Sequence, residues 1–324
     1  MPYGADPVTA ELEERVRELF EAPEARVFPV ATGTAANALA LACLCPPWAT
    51  VYAHTLSHIE VDECGAPEFY SGGAKLTLID GAEARMPVAA LAERARDGGA
   101  RAVHNVQNGA VSLTQATELG AVYSPGELAA LCGVARDHGM PVHMDGTRFA
   151  NALARTNATP AEMSWKAGVD VLCLGATKNG AMAAEAVILF DPERSWEFEL
   201  RRKRGGHLFS KMRFVSAQMN AYLTDGLWLR LAGRANAMAD RLAAGIARID
   251  GARVTNEVGA NMLFVEMRPG QHRALEAAGA RYYPWPAVQD VGGADEAPFR
   301  ARLVSSHDTT EAEVDRFLEV LGNA

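Results

Sequence analysis

The sequence has little positive charge to spare. Its 324 residues include 31 Lys and Arg against 40 Asp and Glu, a formal net charge of −9, and the pI is near 5.5. That balance argues against nucleic acid or an anionic membrane as partner, since both reward clustered cations. The one basic run is Arg201–Arg204. Paired cysteines are missing as well. The five cysteines, at 43, 45, 64, 132 and 173, form no C-x-x-C. Four of them fall in apolar runs, so reduced thiols in a cytoplasmic compartment are expected. No apolar run reaches bilayer length: the longest, Ala35–Cys45, stops at Pro46-Pro47. No signal-peptide pattern opens the chain, and no repeat or low-complexity linker interrupts it. Hydrophobic residues make up 49%, enough for a sizeable core and against disorder.

What is present is alternation. DPVTAELEERVRELF offers Asp6 as an N-cap and Pro7 at the first helical position, with Leu12, Val16, Leu19 and Phe20 at helical spacing. RVFPV, ATVYA, KLTLI, RAVHNVQ, MPVHMD, VDVLCLGATK and EAVILF read as strands. AANALALAC, PVAALAERARDGG and SPGELAALCGVARDHG read as helices, the last with a capping box on Ser124 and Glu127. This order implies an α/β fold with a mostly parallel sheet covered on both faces, and a site at the C-terminal strand ends. After Phe190 long helical patterns dominate. NMLFVEM then alternates as a half-buried strand, ARLVSS reads as another, and TEAEVDRFLEVLG closes as a helix. The expected division is a large domain over 1–220 and a smaller α+β domain over 221–324.

Three short stretches carry chemistry. In ATGTAAN, Gly33 and Thr34 lie where a strand hands over to a helix, and free N–H groups there suit a phosphate. A plain helix cap is the commoner reading of such a pair. In HMDGTRFAN, Asp145 ends a strand with Arg148 three residues on; the pair reads either as a cap with its ion pair or as a carboxylate holding a ring N–H⁺. Lys178, between two apolar strands, reads as a snorkelling surface lysine or as a buried amine with a depressed pKa, suited to Schiff-base chemistry. A phosphate cradle, a strand-end Asp and such a Lys are together what pyridoxal phosphate requires. His54 and His58, four apart and followed by Glu60, Asp62 and Glu63, offer a rival zinc reading. The H-E-x-x-H signature is absent, and no metal is expected.

In order and over nearly the whole chain, PYGADP, PVATGTAANALAL, SHIEVDECGAPEFYSGGAKL, HMDGTRFANAL, LGATKNGA and RLVSSHDTT resemble the low-specificity L-threonine aldolases of the fold-type I pyridoxal-phosphate superfamily. The resemblance implies retro-aldol cleavage of β-hydroxy-α-amino acids, such as L-threonine or L-allo-threonine, to glycine and an aldehyde. It implies Lys178 as the Schiff-base lysine, Asp145 as the partner of the pyridine nitrogen, and Gly33 and Thr34 in the phosphate cradle. His58 becomes the ring-stacking histidine, while Arg148 and Arg302 become candidates for the substrate carboxylate. Lys211, and after it Arg213, would reach the phosphate of a neighbouring subunit in a homodimer or homotetramer.

The chain also departs from the family in two places. Ala116-Thr117-Glu118 stands where many members read N-T-H, which puts Glu118 in place of a second histidine. The base for the β-hydroxyl is then open between His58, Glu118 and a water. Members also carry a Ser-Asp-Asn-type segment ahead of PYGADP. Its lack keeps a non-catalytic cofactor binder among the alternatives, beside β-elimination or racemisation on the same cofactor.

Overall fold

The computed structural model describes residues 1–100, 102–287, 289 and 297–324. Seven strands build the larger sheet: β1 (Arg26–Val30), β2 (Ala49–His54), β3 (Lys75–Ile79), β4 (Gln107–Thr114), β5 (Val142–Gly146), β6 (Val171–Gly175) and β7 (Glu185–Leu189). Their spatial order is β1-β7-β6-β5-β4-β2-β3. Parallel ladders join β3, β2, β4, β5 and β6. β7 runs antiparallel to both β6 and β1. Pro29 falls on the edge strand β1, where a missing N–H costs the ladder least.

Ten helices accompany this sheet: α1 (Pro7–Leu19), α2 (Gly33–Leu44), α3 (His58–Val61), α4 (Ala66–Ser71), α5 (Val88–Asp97), α6 (Pro125–Asp137), α7 (Phe149–Leu153), α8 (Ser195–Arg204), α9 (Arg213–Leu223) and α10 (Leu227–Ile246). The anticipated caps form. Asp6 accepts the Thr9 N–H at 3.0 Å, and Ser124 and Glu127 close a reciprocal capping box. Strand residues alternate between two cores, as the two-residue period of a strand requires. Val142, Met144, Leu172 and Leu174 meet α1, α6 and α9 on one face. Val171, Cys173, Val187 and Leu189 meet α2 and α8 on the other. α2 is buried all along Ala35–Leu44, the condition of a helix with no polar stripe. Its N-terminus is thereby fixed at the C-terminal edge of the parallel strands.

The smaller sheet is antiparallel, in the order β10-β11-β9-β8. Its strands are β8 (Ala252–Val254), β9 (Met262–Met267), β10 (Tyr283–Pro284) and β11 (Phe299–Val304), with α11 (Pro269–Ala277) and α12 (Glu311–Gly322) packed beside them. α10 belongs to both halves: Trp228 and Ala232 enter the large core, and Ala239, Leu242 and Ile246 enter the small one.

Three strand expectations need correction. RAVHNVQ is not a strand. Arg101 lies outside the described residues, Ala102–His104 form a 3₁₀ turn, and β4 begins at Gln107. The Asn108-Gly109 pair looks like a turn but lies inside β4, because a Cβ at Gly109 would stand 2.7 Å from the Thr50 carbonyl oxygen. The Asn108 side chain is held there by the Tyr52 hydroxyl at 2.7 Å. NMLFVEM is buried along all of β9 rather than on alternate residues: Leu263, Val265 and Met267 enter the small core, while on the other face Phe264 meets Trp285 and Glu266 lies between Arg253 and Arg300. Finally, Lys178 lies beyond the end of β6, in the 3₁₀ turn Thr177–Asn179.

Candidate active site

Parallel strands end at the same edge of the sheet, and β4, β5 and β6 deliver their following residues into one cleft. It is lined by His58, Asp62, Thr114, Ala116, Thr117, Glu118, Asp145, Thr147, Arg148, Lys178, Met262 and Arg302. Six residues singled out from the sequence, His58, Glu118, Asp145, Arg148, Lys178 and Arg302, therefore meet in three dimensions. The last comes from the small sheet.

Asp145 is enclosed on β5. Its Oδ1 accepts the Thr147 N–H at 2.9 Å and the Thr147 hydroxyl at 2.7 Å. Its Oδ2 accepts from Asn37 Nδ2 at 3.0 Å. Burial alone would raise this carboxyl, but the two Thr147 bonds, with His143 and His58 nearby, hold it below its usual range. It is thus an anion placed to face a cation.

Lys178 is exposed to the cleft, so of the two readings open from the sequence the buried amine needs correction. The strand ends before it, and the turn lifts the side chain clear of the core. Partial desolvation of the amine and the neighbouring Arg148 still depress its pKa, against the pull of Asp145 and Glu118. An accessible amine with a lowered proton affinity is a usable nucleophile.

Arg148 is buried, and burial together with the nearby Arg302 pushes it down to about 10. The Arg302 Nε has no hydrogen-bond partner. Among the described residues its Nη2 meets only the Met262 thioether, at 3.6 Å. A guanidinium orphaned in this way suits an anionic ligand, above all a carboxylate. Glu118 is half-buried and raised, by burial first and then by Asp145, with His58, Lys178 and Arg148 opposing.

His58 opens α3, and its Nδ1 lies 2.8 Å from Glu63 Oε1. His54 does not join it. That residue ends β2 and spends both ring nitrogens locally, on the Gly81 carbonyl and the Leu56 N–H. The paired-histidine zinc reading therefore fails, because the four-residue spacing crosses a strand end rather than a helix face. His58, Glu63 and Asp145 do place ligand atoms within 4.8 Å of one another. The Asn37 amide, a donor, bridges the two carboxylates at 2.8 and 3.0 Å, which makes the group a hydrogen-bond chain.

At the N-terminus of α2 the cap is Thr32, whose hydroxyl accepts the Ala35 N–H at 3.1 Å. Gly33 and Thr34 form the first turn, where helical N–H groups lack internal partners. A Cβ on Gly33 would stand 3.6 Å from Thr147 Oγ1, so this end lies against the Asp145 cluster. The residues fit pyridoxal phosphate: an amine, a carboxylate of depressed pKa and two carboxylate-seeking guanidiniums share one cleft, with a helix start beside it against Thr147. Lys211 and Arg213 are not brought to it. The first is exposed, and the second lies over the Phe214 ring.

Sequence reasoning missed Thr147 and Asn37 as site residues, and weighed Glu63 only as a metal ligand rather than as the partner of His58. Thr147 stands two residues after Asp145, the spacing of a side chain that bonds a following backbone N–H, and that signal was readable. Asn37, a lone amide in a run of Ala and Leu, was a second.

The family description "Beta-eliminating lyase" matches residues 1–268. A low specificity L-threonine aldolase from Pseudomonas sp. (strain NCIMB 10558) is 41% identical over 312 residues, 96% of this chain and 86% of that protein. One of the same name from Pseudomonas aeruginosa is 43% identical over 281 residues, 87% and 80% of the two chains. The solved structure of Leishmania major threonine aldolase superposes with a TM-score of 0.91 at 28% identity, covering 99% of this chain and 91% of that one.

Proposed function

The chain belongs to the β-eliminating lyase family, and from that premise we propose that its cleft binds pyridoxal phosphate through Lys178 and cleaves threonine and related β-hydroxy-α-amino acids to glycine and an aldehyde. It is a pyridoxal-phosphate-dependent lyase of the threonine aldolase kind. The observation that carries the site assignment is the meeting of Lys178, Asp145 and the orphaned Arg302 in one cleft. The cofactor, when bound, supplies an electron sink for the pair left on Cα as the Cα–Cβ bond breaks.

The chain's own groups do the rest. Lys178 offers the amine that holds the cofactor aldehyde. Asp145, kept anionic by Thr147, holds a proton at the pyridine nitrogen. Gly33 and Thr34 present N–H groups to the phosphate. Arg148 and Arg302 grip the substrate carboxylate and so orient the bond to be broken. His58 and Glu118 are the cleft groups able to take the hydroxyl proton. His58 retains its own proton more strongly than usual, chiefly through Glu63.

Lys211 and Arg213 we assign to the phosphate site of a neighbouring copy, in a homodimer or homotetramer. Their place outside the cleft supports this, as do the exposed Phe209 and Phe214 beside them. Cytoplasmic residence is supported by the free thiols of all five cysteines. Among the described residues no helix is long and apolar enough to cross a membrane.

Borohydride reduction of the holoenzyme followed by peptide mapping should label Lys178. Lys178→Ala should lower glycine release from L-threonine on the order of 10³-fold or more. Label on Lys75 or Lys166 would overturn the assignment. Release from L-threonine, L-allo-threonine and phenylserine, compared side by side, then ranks the substrates.

A further inference from the structure

Asn37 is the single amide side chain on a helix otherwise lined, from Ala35 to Leu44, with Ala, Leu and Cys. A buried amide without partners is costly, so its bonds show why it is tolerated. Both Nδ2 hydrogens are used, one on Glu63 Oε1 at 2.8 Å and one on Asp145 Oδ2 at 3.0 Å. Glu63 is itself buried. The same Oε1 receives His58 Nδ1 at 2.8 Å, and an ionised carboxylate can only accept. With Glu63 ionised, the hydrogen of that bond sits on Nδ1. Nε2 is left as the ring nitrogen available to the cleft.

We propose that Glu63 and Asn37 are positioning residues. Glu63 sets the tautomer and charge of His58, and Asn37 clamps Glu63 and ties it to Asp145, so that the histidine and the neighbouring Asp145 carboxylate are held as one unit. The part this plays in turnover rests on the lyase reading above; the placement of the proton does not. The energetics agree in direction. His58 is raised, first by the Glu63 bond, with burial opposing and with Asp145 and Glu118 adding. Glu63 is raised by burial, while its bonds from His58 and Asn37 pull it back toward the anion. These are the charged groups that face the pair. Removing Asn37 therefore weakens Glu63 as an anion, and through it the hold on His58.

The test is ¹⁵N-histidine NMR on the full chain, with and without pyridoxal phosphate, beside pH–rate profiles of the holoenzyme. His58 should show protonated Nδ1 in its neutral form. Glu63→Gln, which keeps shape and removes charge, should move the His58 titration to lower pH. The acidic limb of kcat should move with it, and turnover at the optimum should fall about tenfold or more. Asn37→Ala should produce a smaller shift in the same direction, and none in the Glu63→Gln background. If Glu63→Gln fails to fold, Glu63→Asp keeps the charge but shortens the reach, and should yield a mixture of ring tautomers. Neutral His58 carrying its proton on Nε2, or a titration unmoved by Glu63→Gln, would overturn the proposal. A shift in His58 in a protein that releases no glycine from L-threonine would support the positioning role while sinking the activity assigned above.

Discussion

The two sheets of this molecule place charge in opposite ways. In the seven-stranded sheet Asp145, His143 and Glu185 are enclosed among apolar strands. Burial pushes His143 down to about 4 and Glu185 up to about 7. In the four-stranded sheet Glu266 also lies low, but its partners Arg253 and Arg300 lean into solvent, 71% and 59% exposed. Enclosed groups cannot relax into water, so each neighbour changes what they do. Solvated pairs are screened and change little. The large sheet therefore holds the enclosed charges. The small one contributes mainly Arg302 and Met262 to the cleft wall.

The contrast breaks most visibly at Asp145. Asp145→Ala should cost turnover on the order of a thousandfold, even with cofactor saturating, if Asp145 is the carboxylate that holds the ring proton as proposed. Steady-state kinetics at high pyridoxal phosphate checks this, and near-normal kcat would remove Asp145 from the mechanism.

Glu185 sharpens the comparison through stability. Its folded carboxyl titrates near 7, by burial, against an ordinary value of 4.5, with the Thr177 bond and Lys178 opposing the shift. Between those values the folded state binds more protons than the unfolded chain, so stability falls as pH rises through that window. Glu185→Gln should remove that loss. Denaturant unfolding of the apo-protein should show the variant more stable than wild type by about 2–3 kcal/mol at pH 8, with no gain at pH 4. A gain independent of pH would show that ionisation is not the cause.

Arg253 marks the lower end. Arg253→Ala should cost about 1 kcal/mol or less, since Arg300 still pairs Glu266. A loss measured by urea unfolding that exceeds this severalfold would mean that the small sheet also depends on enclosed charge.

Much of the architecture could be read from local pattern, because the caps, the alternating strands and the amphipathic helices are short-range devices. Asp6, Ser124 and Glu127 do what their spacing indicates. Asp145 and Lys178 stood out because a charged residue at an apolar strand end needs a reason. The β4 boundary misled because the packing that places Asn108-Gly109 inside the strand comes from Cys45 and Thr50, far off in sequence. Asn37 and Glu63 were illegible as partners for the same cause: their bonds span 26 and 108 residues. Nor could an antiparallel ladder reveal that Met262 would come to rest against Arg302.

The helix α10 has a mechanical meaning. It lends side chains to both cores, and its Asn236 is tied to Asn151 of α7 by bonds of 2.9 and 3.1 Å. Arg302 rides on the small sheet, and Lys178 is anchored to the large one. The gap between them is a dimension set by α10, which bears on both: its Trp228 carbonyl accepts from Asn179 Nδ2, next to Lys178, and its far half packs on the sheet that carries Arg302. Its buried Ala232, Ala235 and Ala239 let the two bodies approach closely. One added methylene there would act as a shim, widening the space between amine and guanidinium and so changing the substrate side chain that the cleft can seat.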